Sequence, residues 1–294
     1  MLGVAEVIPS QPGSGPTVLR ILLGSQLRKL REARGISRDD AGYRIRASGS
    51  KISRLELGRV SFKERDVIDL LELYGVAGET ERAQLISLAR EANSPAWWQK
   101  YSDVVPDWFQ IYVGLEEAAE LIRVYEVQFV PGLLQTEEYA RAVVRQGQPA
   151  APAGEVDRRV ALRTRRQQLL SRLSPPRLWA VVDEGALRRP MGGREVMRGQ
   201  VERLMAATKE PNITLQVLPF TFGGHAAEGG AFTIMRFPEA DMADIVYIEQ
   251  LTGALYLDKR EDVERYSEVM ERLSVKATAP ERTQDILAAI LKEL

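Results

Sequence analysis

Leucines at helical spacing open the patterned part of the chain: Leu23, Leu27 and Leu30 recur every three or four residues, and the pattern stops at Gly35, a residue suited to a left-handed helix end. Ser37 is placed to cap a second helix running to about Ile45, and Ser48 a third that ends near Gly58. Ser61 and Glu64 have capping-box spacing ahead of a fourth apolar stripe, Val67, Ile68, Leu71 and Leu73, which Gly75 closes. A fifth helix over 80–92 carries Leu85, Ile86, Leu88 and Ala89, which suffice to close the core of a small all-α bundle. Residues 93–95 (Asn-Ser-Pro) then read as a boundary.

Past that boundary the pattern alternates between two periods. Helical stretches are expected at about 106–126, 136–145, 155–173, 194–208, 261–273 and 280–294. Between them, β-branched and aromatic runs punctuated by Pro, Gly and Asp predict strands at 178–182, 213–218, 231–237, 245–249 and 255–257. The fold class expected is therefore multidomain, an all-α helix-turn-helix domain followed by an α+β domain. The segment PSQPGSGPT (9–17) neither packs nor propagates a helix, so residues 1–18 read as a flexible leader, 19–94 as the helical domain and 95–294 as the α+β domain.

Composition narrows the chemistry. With 294 residues, 45% of them hydrophobic, two ordinary domains are expected. The sequence holds no cysteine, which excludes a disulfide framework, a thiolate zinc site and a cysteine nucleophile, and points to a reducing compartment. No stretch approaches the roughly 18 consecutive apolar residues of a membrane helix. A cytoplasmic, nucleoid-associated protein is the expectation.

The net charge of −1 hides a segregation of sign. Between Leu19 and Arg59 stand eleven basic residues against four acidic ones, a surplus of seven that leaves −8 for the remainder. Such a compact cationic segment attracts phosphate while the acidic remainder limits indiscriminate binding; a solvated helical surface has the same composition. The geometry of the third helix favours the first reading. At 3.6 residues per turn Ile52 and Leu55 face inward with Ile45 behind them, whereas Ser50, Ser53 and Arg54 point away and Lys51 flanks them. A recognition helix needs this division, because one face packs while the other enters the major groove. Ala41 and Gly42 are small where two helices approach, and Glu56 is available to a neighbouring cation. The expected DNA-binding set is Arg38, Ser48, Gly49, Ser50, Lys51, Ser53, Arg54 and Arg59. In it Ser50, Ser53 and Arg54 read base edges while Lys51 and Arg38 hold phosphates.

These residues carry a resemblance. The run 27–59, with SKISRLELGR at its heart, resembles the Xre-type helix-turn-helix of phage-repressor-like regulators. Downstream, WWQKYSDVVPDWFQIYVGLE (97–116), YEVQFVPGLLQTEEYARAV (125–143), RLWAVVDEGALRRPMGG (177–193), PNITLQVLPF (211–220) and LTGALYLD (251–258) resemble the C-terminal domain of actinomycete WhiJ-like regulators. The resemblance implies a transcriptional regulator of development or specialised metabolism, often encoded beside a short partner protein in an antitoxin-like arrangement. The expected partners are thus a double-stranded DNA operator, a second copy of the chain in a homodimer, a small protein encoded nearby and, alternatively, a small-molecule effector. An antitoxin-like scaffold that mainly sequesters its partner, with DNA binding serving autoregulation, is the alternative function. The family usually has Gly in the turn between helices two and three, whereas this chain has Arg46 followed by Ala47, so a modest penalty is expected if that residue adopts positive φ.

Other features are weaker. The one histidine, His225 in FGGHAAEGG, has no companion donors in sequence, and no phosphate loop, nucleophile elbow or H-E-x-x-H motif occurs. No enzyme, metal or cofactor is expected. Trp97, Trp98, Tyr101, Trp108, Phe109 and Tyr112 suit either an effector pocket or packing between domains. The six arginines between Arg158 and Arg172 suit either flanking DNA or the solvated face of a helix buried through Val156, Val160, Leu169, Leu170 and Leu173.

Overall fold

A computed structural model describes residues 15–239 and 242–294. Residues 1–14, most of the expected leader, lie outside the described part. The chain divides into two units, one reaching to Gln99 and including Glu239 and Met242, the other comprising Lys100–Pro238 and Ala243–Leu294.

Five helices build the first unit: α1 (Pro16–Ala33), α2 (Arg38–Arg44), α3 (Gly49–Glu56), α4 (Glu64–Leu73) and α5 (Glu79–Ala92). The first begins earlier than its sequence suggests, with Pro16 in the first turn and Thr17, Val18 and Leu19 buried. Proline is favoured at that position because its missing N–H would have no partner there. The expected leader therefore ends at Gly15 among the described residues. Leu23 and Leu27 from α1 meet Ile52 and Leu55 from α3 and Val67, Leu70 and Leu71 from α4 in one core, which Leu85 and Ala89 of α5 close. The backbones of α1 and α3 touch: a Cβ at Gly24 would stand 2.5 Å from the Leu55 carbonyl oxygen. The expected capping box at Ser61 does not form. Helix α4 starts at Glu64 with Lys63 as its N-cap, so Ser61 lies two residues too early to cap it, and Glu64 is instead bonded by Arg90 of α5 at 2.6 and 2.9 Å.

The second unit is a six-stranded mixed sheet with helices. Its elements are α6 (Asp107–Ala118), β1 (Leu121–Glu126), α7 (Glu137–Gly147), α8 (Ala153–Gln167), β2 (Arg177–Asp183), α9 (Glu184–Arg188), α10 (Arg194–Ala207), β3 (Ile213–Leu218), β4 (Phe232–Arg236), β5 (Ile245–Gln250), β6 (Gly253–Leu257), α11 (Arg260–Lys276) and α12 (Thr283–Glu293). Strands lie in the order β3-β2-β1-β4-β5-β6. β1, β2 and β3 are parallel, and β4 to β6 form an antiparallel meander that joins at β1. All five expected strands form. The expected helix over 106–126 is corrected: it stops at Ala118, and residues 121–126 are a central strand.

Alternate residues serve the two faces of the sheet. Tyr125, Val181, Phe232, Ile234, Val246 and Ile248 pack with Met270 and Leu273 of α11 on one face. On the other, Tyr112 of α6 lies against Tyr247 with ring centroids 4.3 Å apart. The outer edge of β3 is occupied: Thr278 N donates to the Val217 carbonyl at 2.9 Å and Thr283 Oγ1 to that of Leu215 at 2.7 Å.

Candidate nucleic-acid interface

Two serine caps set the motif. Ser37 Oγ accepts from Asp40 N at 3.1 Å at the start of α2, and Ser48 Oγ accepts from Lys51 N at 3.3 Å at the start of α3. Each satisfies a backbone donor that its helix would otherwise leave open. Between the caps the chain turns sharply, and Arg46 takes φ 56°, the sole non-glycine at positive φ among the described residues. The space inside this turn is tight. A Cβ on Gly42 would stand 2.7 Å from the carbonyl oxygen of Ala47, so the residue at 42 cannot carry a side chain without moving the loop.

Ile52 and Leu55 hold α3 to the core, buried beside Ala41 and Ile45. Its last residue, Glu56, is buried as well and receives Arg31 through Nε and, at 3.1 Å, Nη2; Arg38 Nε approaches the same carboxylate at 3.2 Å. The carboxylate, ahead of other influences, raises the Arg31 pKa against the opposing effect of burial. One buried glutamate thus ties the ends of α1 and α3 and the start of α2 together. On the flank of α3, Lys51 Nζ donates to Asp66 Oδ2 of α4 at 2.8 Å, and that carboxylate is buried.

The residues expected to bind DNA therefore separate into two groups. Ser50, Arg54 and Arg59 are exposed, Ser53 is half-buried, and neither Arg54 nor Arg59 has an ionic partner among the described residues. Ser48 caps α3, and half-buried Gly49 leaves room for the Asp39 carboxylate where a Cβ would stand. By contrast, Lys51 and Arg38 are bonded to buried carboxylates on other parts of the bundle, Lys51 to Asp66 and Arg38, through Nε, to Glu56, so each also has a structural role beside the exposed group. The sequence reading missed Tyr43, which stands 88% exposed at the end of α2. A tyrosine outside the apolar stripe of α2, beside buried Ala41 and Gly42, was the signal available.

The other candidates take structural places. His225 Nε2 lies 3.1 Å from Tyr125 Oη, and its Nδ1 accepts from Ala227 N at 3.2 Å; the imidazole pins its own loop. Among the described residues no group of three or more His, Asp or Glu side chains is arranged to hold a metal ion, and no helix is long and apolar enough to cross a membrane. In the arginine run, Arg158 pairs with Asp103, Arg159 with Glu155 and Arg166 with Glu116. Leu173, expected in the buried stripe, is fully exposed because α8 ends at Gln167 and a short 3-10 turn follows.

Comparisons with known proteins agree with this division. A model for a helix-turn-helix domain matches residues 22–85, and one for a domain of unknown function (DUF5753) matches residues 109–289. Searches of curated proteins and of solved structures give no significant match.

Proposed function

The chain belongs, through residues 109–289, to the family defined by the DUF5753 domain, and on that premise we propose that it is a sequence-specific transcriptional regulator whose C-terminal domain receives a small partner protein or an effector. The observation that carries the reading is the outer face of α3: Ser50 and Arg54, four residues apart, point to solvent from a helix locked by Ile52, Leu55 and the Arg31–Glu56 pair. Rigid support of this kind lets side chains meet base edges in a defined register. Arg54 offers two parallel donors to a guanine edge, Arg46 and Arg59 lie before and after α3 to meet phosphates, and Tyr43 offers a ring to the sugar–phosphate backbone. The protein acts without a catalytic step in this reading. As a homodimer it places two copies of α3 about 10 base pairs apart or a multiple of that, on one face of the duplex. The WhiJ-like resemblance supports a short protein encoded nearby as the C-terminal domain's partner.

The test is selection of bound sites from random duplex DNA by the full chain, followed by titration of Arg54→Ala against selected and scrambled duplexes at several salt concentrations. Discrimination should relax at one base position per half-site, with a loss of about 1–3 kcal/mol on the selected site. Equal loss on both duplexes, with preference intact, would return Arg54 to the phosphate contacts; absence of any enriched sequence would remove the regulator reading.

A further inference from the structure

Beneath α6 and α8 the sheet ends in a row of charged side chains that the fold leaves unneutralised. Tyr125 pairs with Phe232, and Thr233 with Tyr247. Carried on by the same ladder, Glu126, Ala231 and Glu249 fall in line across β1, the lead-in to β4, and β5, on the face that bears Val124, Thr233 and Tyr247. Neighbouring strands are about 4.8 Å apart, so two carboxylates project from backbones roughly 10 Å apart with only a methyl group between them. Tyr247 Oη donates to Glu249 Oε2 at 2.8 Å. From α8 comes Arg163, whose Nη1 donates to Gln135 Oε1 at 2.9 Å. Neither Glu126 nor Arg163 has an ionic partner within 4 Å among the described residues. One turn along the same helix, Arg166 grips Glu116 with two bonds of 2.7 Å, so the helix gives one guanidinium a carboxylate partner and the other, Arg163, only an amide.

The charges perturb one another as uncompensated groups do. Burial, then the Glu249 carboxylate, pushes the Glu126 carboxyl up to about 8, with Arg163 pulling it down. Burial, then Arg166, pushes Arg163 down to about 10 against the pull of Glu249, Glu126 and Glu116. Both remain partly accessible to solvent. From β1 the chain runs first to β2 and β3 on one side and returns to β4, β5 and β6 on the other. At the carboxyl end of β1 its antiparallel neighbour β4 begins, so Glu126 stands where β1 ends and the lead-in to β4 arrives.

We propose that this cluster binds a small zwitterionic amine, with its ammonium between Glu126 and Glu249 and its acid group on the free donors of Arg163. The assignment rests on the reading of the C-terminal domain as the receiving domain. Seating a cation beside Glu126 ionises it, so binding near neutral pH releases a proton.

The experiment is calorimetric titration of the full chain with γ-aminobutyrate and L-lysine, with n-butylamine and butyrate as single-charge controls, in two pH 7 buffers of different ionisation enthalpy. Saturable binding of a zwitterion is expected, with heats that differ between buffers as proton release requires, and at least tenfold weakening in Glu126→Gln and Arg163→Lys, both checked for unchanged melting. Absence of saturable binding by every probe, affinity within twofold in both variants, buffer-independent heats, or butylamine binding as tightly as the zwitterions would each overturn the assignment. Operator affinity measured on the same preparations separates the two readings: intact DNA binding with no amine binding refutes this site alone, whereas loss of sequence preference refutes the regulator.

Discussion

Replacing Lys51 by Met separates support from contact in the recognition helix. The ammonium lies 2.8 Å from Asp66 Oδ2 with its side chain 31% exposed, whereas that of Asp66 is 5% exposed. Removing the cation leaves a buried carboxylate without its charged partner. Breaking a fully buried pair in this way costs about 3–5 kcal/mol, and the half-exposed lysine brings the expected figure down to about 2–3 kcal/mol. Against a total stability of roughly 5–15 kcal/mol that is a large share, and it falls on the α3–α4 junction. Urea denaturation followed by circular dichroism should show the loss as a lower midpoint at constant slope. Adding Asp66→Asn, which removes the orphaned charge, should restore more than half of it, the non-additivity expected of residues in contact. DNA titrations of the folded single variant should show a salt slope close to that of the parent. If Lys51→Met left the urea midpoint unchanged while reducing the salt slope by about one unit, Lys51 would be a phosphate contact and its bond to Asp66 incidental.

Arg46→Gly should raise stability by about 0.5–1 kcal/mol in the same assay, because glycine takes positive φ without the strain that an arginine bears there. Gly42→Ala should act in the opposite sense, lowering the thermal midpoint, since the added methyl meets the Ala47 carbonyl. Arg166→Met should cost about 3–5 kcal/mol by stranding the buried Glu116, seen as loss of the second unit's melting transition at 37 °C. For Glu126 the folded pKa is raised to about 8 from the ordinary 4.5 of a glutamate, so the folded state holds the proton more tightly. Its stabilising contribution is full below about pH 4.5 and is lost as pH rises towards 8, by at most about 1.4 kcal/mol per pH unit. Glu126→Gln should flatten that part of the stability profile, measured by urea midpoints from pH 5 to 8.5.

Local signals were legible and long-range ones were not. Ser37 and Ser48 announce their helices because a cap acts within three residues, and Arg46 stands out because the turn geometry is set by its own dihedral. The five strands past Arg177 sit between clear punctuation. β1 does not: Glu116 to Glu120 are good helix formers, Leu115 and Ile122 fit a helical stripe, and the extended state is imposed by partners at 177–182 and 232–236. The same distance hid the partners of the candidate site. Nothing near Lys51 marks Asp66 as its counter-ion, nor does anything near Arg31 mark Glu56, since each pair meets only when α1, α3 and α4 pack. The Glu126–Arg163–Glu249 cluster was invisible for this reason too, assembled as it is from two strands and a helix.

The place of β1 sets an order of events during synthesis. Its neighbours on either side are β2 and β4, both made later, and β4 begins at Phe232. The apolar core of the helical bundle is drawn from residues no later than Ala92, and the next residue, Asn93, accepts from Phe62 N at 3.1 Å through its side-chain oxygen. Each emerging molecule therefore has the whole apolar core of its helix-turn-helix domain made while the central strand of the other unit still has two bare edges, a state open to capture by chaperones or like strands. On the proposed function, a nascent chain passes through a period in which its helix-turn-helix can meet DNA before the domain that receives a partner or effector is formed.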